Sequence, residues 1–365
     1  MTATIYGKTN LDFKEEPLFF GSELNIWRND IPSVKDLNDL DEKMTSFFWV
    51  PQKISLSKDK GDFKKLTKAQ KHLFVENLKY QILLDSIQGR SPLAVFGPWI
   101  SNPVIESCFT TLQYFETIHS KSYSWMIKNI FNDPAEVFDT IVDHPEIKER
   151  SEAVVKYYDN FYYHSIKHQA GTPECTLREL KKKMILALSA WNALEGIRFY
   201  VSFACNFALA RNKVMIGSSN ILREICRDEN LHLALTQKIL KRFSSGEQGV
   251  EWKEIFEESI PEMTEIYKNT IDQEKTWAKH LFKEGPLLGL NEHILGSYID
   301  YISTKRMKSV GLEPVCPEYN NPCVWMDDFL SNKKTQKASQ ETEQTSYVNA
   351  AGIDGEIDWE ELGVA

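Results

Sequence analysis

The sequence predicts an all-α protein, a single large bundle of helices followed by a flexible C-terminal tail. Long stretches with apolar residues at helical spacing alternate with Gly and Pro breakers. No stretch of any length shows the period-two alternation typical of strands. At 365 residues, 42.2 kDa and 42% hydrophobic residues, the chain is long enough to bury one substantial core. We assign residues 1–330 to the helical domain and residues 331–365 to the tail.

Breakers and caps divide the domain into its helices. Pro51 ends the first, Gly89 and Pro92 close the second, and Asn102 caps the third, which stops before Asp133-Pro134. The later helices are separated in the same way by Gly- and Pro-containing stretches. The predicted helices cover about 33–48, 66–87, 103–131, 145–168, 176–211, 219–242, 250–284 and 291–309.

The most apolar stretch, residues 184–210, is interpreted as a buried central helix rather than a membrane span. It carries Glu195 and Arg198 near its centre. Each charge would cost about 2.5–3.5 kcal/mol at the middle of a bilayer. A helix that is apolar all round with a few inward polar groups is typical of the core of a large protein, so no membrane interaction is expected.

Charge and cysteine usage narrow the function classes further. The net charge is −9, and the basic residues do not form a stripe that would bind nucleic acid. The densest basic run, Lys181–Lys183 after Arg178, is predicted to be a solvated helix face, with a phosphate or nucleic-acid contact as the minor alternative. The six cysteines show no Cys-x-x-Cys spacing, which favours reduced thiols in a cytoplasmic protein.

Two copies of Glu-x-x-His carry the chemistry of the chain. They are Glu116–His119 and Glu229–His232, and both lie inside predicted helices. A glutamate and a histidine three residues apart share one helix face and can bind one ion. Each pair also follows an acid on an upstream helix, Asp85 and Glu195 respectively. Most single Glu-x-x-His matches mean nothing, but two such sets together predict a dinuclear metal site.

This arrangement matches the ferritin-like helical bundle, in which four helices aim carboxylates and histidines at a metal pair in the core. Four carboxylates and two imidazoles suit iron or manganese and balance two divalent charges, whereas a zinc pair is less suited to redox chemistry. We expect two iron (Fe) ions per chain, with di-manganese as the alternative. Glu116 and Glu229 are predicted bridges, Asp85 and His119 complete one ion, and Glu195 and His232 complete the other.

Tyr123 follows His119 by four residues and is predicted to lie on the same helix face, one turn further on. Such a tyrosine is more often a packed aromatic that donates a hydrogen bond. Beside a metal pair that activates dioxygen (O2), it could instead be oxidised by one electron. Phe199, Phe203 and Ile225 fall on neighbouring helix faces and could shield the resulting radical.

The C-terminal tail has a distinct composition. Residues 331–346 contain no apolar residue larger than alanine, which predicts disorder. After Tyr347 the tail turns acidic, with apolar residues such as Trp359 between the acids. That pattern favours a segment that folds against a partner over a purely solubilising tail.

These residues lie in strings that resemble the small, radical-generating (beta) subunit of class I ribonucleotide reductase. The strings are long and, with the tail, span nearly the whole chain. They read SFFW (46–49), NLKYQILLDSIQGRSP (77–92), FETIHSKSY (115–123), NALEGIRFYVSFAC (192–205) and CRDENLH (226–232).

The resemblance implies a ribonucleoside-diphosphate reductase small subunit. Its dinuclear centre reacts with dioxygen and leaves a stable radical on Tyr123. The radical is transferred through His119, Asp228, Trp49 and Tyr347 to a large (alpha) subunit, which reduces ribonucleotides to deoxyribonucleotides. The resemblance also implies a homodimer and docking of the acidic tail on the large subunit.

Some residues of this set also have purely structural interpretations. The chain departs from the family at one point. Asp228 could merely orient a histidine, and Trp49 alone would be assigned to core packing. An acid is usual in the family just past Trp49, where this chain has Gln52 and Lys53. This departure concerns proton coupling at the subunit interface.

Two other functions are consistent with the same bundle. A substrate-binding oxidase or desaturase-like enzyme would need a channel beside the metals, and it would have no use for Tyr347. An iron-storage or structural bundle would leave Trp49, Tyr123 and Tyr347 without a purpose. Identical ligands serve iron and manganese, so the sequence leaves the metal open.

Overall fold

A computed structural model describes residues 16–21, 26–28 and 30–330. Within that part of the chain the fold is a bundle of twelve α-helices. They are α1 (Lys35–Ser46), α2 (Asp59–Lys65), α3 (Lys68–Gln88), α4 (Pro103–Ile130), α5 (Ala135–Phe138), α6 (Pro145–Gln169), α7 (Leu177–Ala193), α8 (Phe199–Arg211), α9 (Ile216–Ser245), α10 (Val250–Leu281), α11 (Glu292–Ser309) and α12 (Asp327–Leu330). The only β pairings among these residues are two isolated bridges, Phe19 with Ile100 and Leu287 with Leu290.

The all-α prediction is confirmed, and seven of the eight predicted helices are present with ends shifted by a few residues. Three short helices, α2, α5 and α12, were missed because four to seven residues are too few to show a helical period. The predicted helix over 176–211 is in fact two helices, α7 and α8. A π-helical turn, Leu194–Arg198, joins them.

Four helices form the ring that surrounds the centre of the bundle. α3 packs against α4 and α8, and α9 packs against α4 and α8. Around this ring, α7 lies against α6, α9 and α10, while α11 covers α10. Nearly every residue of α8 is buried, as expected for a helix that is apolar all round.

The charged groups on the apolar α7–α8 stretch are paired inside the protein. Arg198 Nη1 donates to Glu274 Oε1 of α10 at 2.9 Å, and the Tyr80 hydroxyl donates to the same oxygen at 2.6 Å. A buried arginine is tolerable only with such partners. Among the residues described, no helix is long and apolar enough to cross a membrane.

All six cysteines lie in the described ranges, where they carry free thiols and five of them are buried. The structure bears differently on the basic run. The solvated face predicted for residues 181–183 is wrong. Lys181 pairs with Glu251, Lys182 pairs with Glu262, and both acids belong to α10. The run therefore fastens α7 to α10.

The start of α9 is held by a side chain from α2. Met215, at the residue before α9, has a left-handed backbone (φ +57°) and provides no side-chain cap. Asp59 supplies the missing cap instead. Its Oδ1 accepts a hydrogen bond from Gly217 N at 3.0 Å, and its Oδ2 accepts one from Ser218 N at 2.6 Å. A carboxylate at a helix N-terminus also opposes the positive end of the helix dipole. A residue 157 positions away thus fixes the register of α9.

We expect Asp59→Ala to lower the free energy of unfolding by roughly 2 kcal/mol, because it removes a cap and leaves two buried N–H groups without an acceptor. Chemical denaturation of the metal-free chain would measure the change. Asp39→Ala is the matched control, since its ion pair with Lys35 is exposed and should be worth less than about 0.5 kcal/mol. Equal effects of the two substitutions would contradict the role given to Asp59.

Candidate metal centre

The ring of helices brings six ionisable side chains together at its axis, and all six are fully buried. One comes from the last turn of α3, two from α4, one from the π-helical turn and two from α9. In that order they are Asp85, Glu116, His119, Glu195, Glu229 and His232.

Glu116 and Glu229 lie between the two histidines. Glu116 places Oε2 at 3.6 Å from His119 Nδ1 and Oε1 at 3.1 Å from His232 Nδ1. Glu229 places Oε1 at 3.2 Å from His119 Nδ1 and Oε2 at 3.3 Å from His232 Nδ1. Each of these glutamates therefore directs one oxygen to each imidazole, which is the geometry that a bridging carboxylate needs.

Asp85 and Glu195 occupy equivalent outer positions. Asp85 Oδ2 lies 3.9 Å from His119 Nδ1, and Glu195 Oε1 lies 3.9 Å from His232 Nδ1. The six residues form two overlapping groups of four that share Glu116 and Glu229, and the ligand atoms in each group lie within 4.8 Å of one another. This arrangement has room for one ion on each side.

Most polar atoms of the cluster lack protein partners, and this bears on whether a metal pair fits. Both oxygens of Asp85, Glu116 and Glu229 have no hydrogen-bond partner, nor does Nδ1 of either histidine. Buried polar atoms are ordinarily paired because each orphaned group costs about 1–3 kcal/mol or more. Three carboxylates without a hydrogen-bond donor, together with the free oxygen of Glu195 and the two imidazoles, form a ligand set that two divalent cations would satisfy and neutralise.

The pKa values of the cluster indicate that its groups hold protons which bound metal ions would replace. Burial, reinforced by the neighbouring carboxylates, raises the pKa of Asp85 and of Glu195. Burial opposes charge on His232 as well, but the close carboxylates of Glu116 and Glu229 outweigh it and raise its pKa to about 10. Protons shared among these groups therefore offset the buried charge, and ions that bind there would displace them.

Glu195 reaches the cluster because the helix widens at that point. The π-helical turn Leu194–Arg198 rotates Glu195 relative to a regular α-helix, and such turns are frequent at functional sites. Gly196 makes the close packing possible, because an added Cβ would come within 3.0 Å of Leu233 and 3.1 Å of Arg306. Nothing in the hydrophobic pattern of the sequence signals this turn.

Three further residues orient Glu195, and sequence reasoning did not identify them. Trp191, one turn earlier, donates its indole N–H to Glu195 Oε1. Gln88 Nε2 donates to the same oxygen at 3.3 Å, and the Tyr158 hydroxyl donates to Gln88 Oε1 at 2.8 Å. The spacing of Trp191 and Glu195 by four residues was the one available sequence signal.

A hydrogen-bonded chain leads from the cluster towards the surface. Trp49 Nε1 donates to Asp228 Oδ2 at 2.7 Å, and that oxygen lies 3.1 Å from His119 Nε2. Asp228 thereby holds His119 with Nδ1 turned to the carboxylates, as partners of metal-binding histidines commonly do. The structure thus places the three residues singled out from the sequence in direct contact.

Tyr123 is fully buried one turn beyond His119. Burial, together with the charges of Asp85 and Glu229, raises the pKa of its phenol well above the ordinary value. Its hydroxyl lies beside Asp85 without a hydrogen bond of normal geometry. Phe199, Phe203 and Ile225 are also fully buried. Tyr347 and the rest of the tail lie outside the described residues.

Fold and site together define an all-helical protein with a carboxylate–histidine centre of dinuclear type in its core. The model of the family described as "Ribonucleotide reductase, small chain" matches residues 31–322. The chain belongs to this family.

Individual relatives match over the whole chain. A ribonucleoside-diphosphate reductase 1 subunit beta from Escherichia coli is 43% identical over 372 residues, covering 99% of each chain. A subunit beta from Haemophilus influenzae is 42% identical, covering 98% of each. Among solved structures, a ribonucleotide reductase subunit from Clostridium botulinum superposes with a TM-score of 0.78 at 26% identity, covering 91% of this chain and 99% of that one.

We expect Gln88→Leu to weaken the binding of one of the two ions about 10- to 100-fold, because it removes a donor from Glu195 and unpairs Tyr158. Stepwise Fe(II) titration under anaerobic conditions would show one weakened and one unchanged equivalent. Gln237→Leu is the control, since Gln237 pairs with Ser309 and takes no part in the cluster. Weakening of both ions to the same degree would contradict a local effect on Glu195.

Proposed function

We propose that this small chain of ribonucleotide reductase generates a stable radical on Tyr123 and passes it to a large subunit that reduces ribonucleoside diphosphates. The observation that carries the proposal is the convergence of six fully buried side chains of metal-binding type beside a buried tyrosine. The full-length similarity to subunits named ribonucleoside-diphosphate reductase supports the diphosphate substrate.

The metal pair would be held by the six residues described above, with Glu116 and Glu229 as bridges. Iron is our first choice and manganese the alternative, because carboxylates and imidazoles serve both. When bound, the pair supplies the one-electron oxidant by reducing dioxygen. The surrounding helices shield the site from bulk solvent, because all six ligands and Tyr123 are fully buried.

Tyr123 is suited to one-electron oxidation at this place. Its raised pKa keeps the phenol protonated until an electron leaves, so oxidation must also release the phenolic proton. Asp85, beside the hydroxyl, is the nearest carboxylate to receive that proton. Burial of the ring then protects the neutral radical from water and external reductants.

The path out of the core runs through His119, Asp228 and Trp49. These groups are linked by consecutive contacts of 3.1 and 2.7 Å, which are short enough for coupled movement of an electron and a proton. The Trp49 side chain is mostly buried but lies near the surface, at 9% exposure. A relay through this chain would carry the oxidising equivalent from the metal centre to the edge of the domain.

A ribonucleotide reductase small chain acts with a large chain, and we propose that the tail of residues 331–365 makes that contact. Tyr347 would continue the relay, and the acidic segment after it would dock. We also propose a homodimer of the small chain in the cytoplasm.

Deletion of residues 348–365 should abolish turnover with the large subunit, because the docking segment is lost, while metals and radical remain. Full activity after the deletion would rule out docking through the tail.

Tyr123→Phe should eliminate the tyrosyl-radical signal in electron paramagnetic resonance, because phenylalanine lacks the phenolic hydroxyl that is oxidised. The metal content should stay unchanged. The measurement uses protein loaded with Fe(II) and exposed to air. Tyr267→Phe is the matched control, since Tyr267 is also fully buried but donates its hydroxyl to Asn192 at 2.6 Å, outside the cluster. A signal that survives in Tyr123→Phe would disprove the assignment.

Trp49→Phe should keep the radical signal but lose nucleotide reduction in the reconstituted complex, because the hydrogen bond to Asp228 is removed. Radical yield and turnover are measured on the same sample. Trp125→Phe, a half-buried tryptophan outside the relay, should leave both unchanged. Near-normal turnover in Trp49→Phe would exclude this path.

A further inference from the structure

A second cluster of ligand-type side chains lies away from the dinuclear centre. Glu76 is on α3, His144 is the residue before α6, and His280 is in the last turn of α10. Glu76 precedes Asp85 by nine residues, which is about 13 Å along the helix. One ligand atom from each of the three residues lies within 4.8 Å of the others.

Both imidazoles point at the same carboxylate oxygen. His144 Nε2 lies 2.6 Å and His280 Nε2 lies 2.7 Å from Glu76 Oε2. In a tetrahedral site with bonds of about 2.0–2.1 Å, neighbouring donor atoms are about 3.3 Å apart. The three donors would therefore have to open by roughly 0.6 Å, which small side-chain rotations can provide.

The groups around these donors are arranged as they are around metal-binding histidines. Glu146 Oε2 lies 3.2 Å from His144 Nδ1, and Glu146 Oε1 lies 3.7 Å from His280 Nδ1. His144 Nδ1 makes no hydrogen bond to Glu146, but the negative charge near the far nitrogens favours basic rings, as carboxylates beside metal-binding histidines do. Lys79 holds Glu76 Oε1 at 3.3 Å, which leaves Oε2 for the shared position.

Packing holds the rings in place and leaves access from solvent. The Trp277 ring stacks on His280 with centroids 4.8 Å apart and meets His144 edge-on at 6.1 Å. The side chains of His144 and His280 remain 14% and 12% exposed. An ion could therefore enter and keep a water as its fourth ligand.

We propose that Glu76, His144 and His280 bind a single divalent cation of the Zn²⁺ type, separate from the dinuclear centre. Two neutral imidazoles and one carboxylate are a donor set that zinc accepts with water in the fourth position. The ion would tie α3, α6 and α10 together at one end of the bundle.

The test is Zn²⁺ binding by the full-length, chelator-treated chain, measured by equilibrium dialysis and elemental analysis. His144→Gln, His280→Gln and Glu76→Gln should each bind one Zn²⁺ fewer per chain than the wild type. His293→Gln, which replaces an exposed histidine on α11, should bind as many as the wild type. The comparison does not depend on how many ions the dinuclear centre takes up, because that contribution is common to all the proteins.

Only variants with the circular dichroism of the wild type, and hence the same fold, are compared. If such a variant binds as many Zn²⁺ ions per chain as the wild type, the proposal is wrong. A Zn²⁺-soaked crystal of the unsubstituted protein provides a second measurement. An anomalous-scattering peak between Glu76 Oε2 and the two Nε2 atoms would support the site. A peak at the dinuclear centre with none here would refute it.

Discussion

The structure depends on a single electrostatic constraint, the burial of four carboxylates and two imidazoles at the centre of an apolar bundle. In water each group would be hydrated, whereas here most of their atoms have no protein donor or acceptor. Without a counter-charge such a core would be strongly destabilised. Shared protons, or two divalent cations in their place, supply that counter-charge, so folding, metal affinity and chemistry depend on the same six side chains.

Several features of the fold serve to hold those six groups in place. The π-helical turn brings Glu195 inward, and Trp191 and Gln88 fix its carboxylate. Asp59 sets the start of α9, on which Glu229 and His232 lie thirteen and sixteen residues further along. The unpaired polar groups destabilise the fold at the site, and the contacts around the site stabilise it. This is expected where function requires unpaired polar groups.

The second histidine cluster shows how the same residue types behave when they are paired. Glu76 faces two imidazoles and a lysine, so its charge is compensated within the protein. At the centre, four carboxylates share only two imidazoles. This contrast distinguishes a cluster that is stable without an ion from one that requires cations or protons, and it explains why the central cluster carries the redox proposal.

The helical class, the approximate ends of the long helices and the six members of the central cluster could all be predicted from the sequence. These follow from local rules: helical periodicity, breakers, and the common face shared by residues three or four apart. Recognisable strings also singled out Tyr123, Trp49 and Asp228. The assignment of iron, radical and relay to these residues remains a proposal.

The contacts that those residues make depend on the tertiary structure and could not be predicted from the sequence. The widened turn at Glu195, the cap from Asp59, the ion pairs of Lys181 and Lys182 with α10, and the meeting of Glu76 with His144 and His280 all join residues from different helices or depart from the regular period. Such contacts arise from the packing of whole helices, and packing geometry is a property of the assembled core rather than of any local stretch of chain.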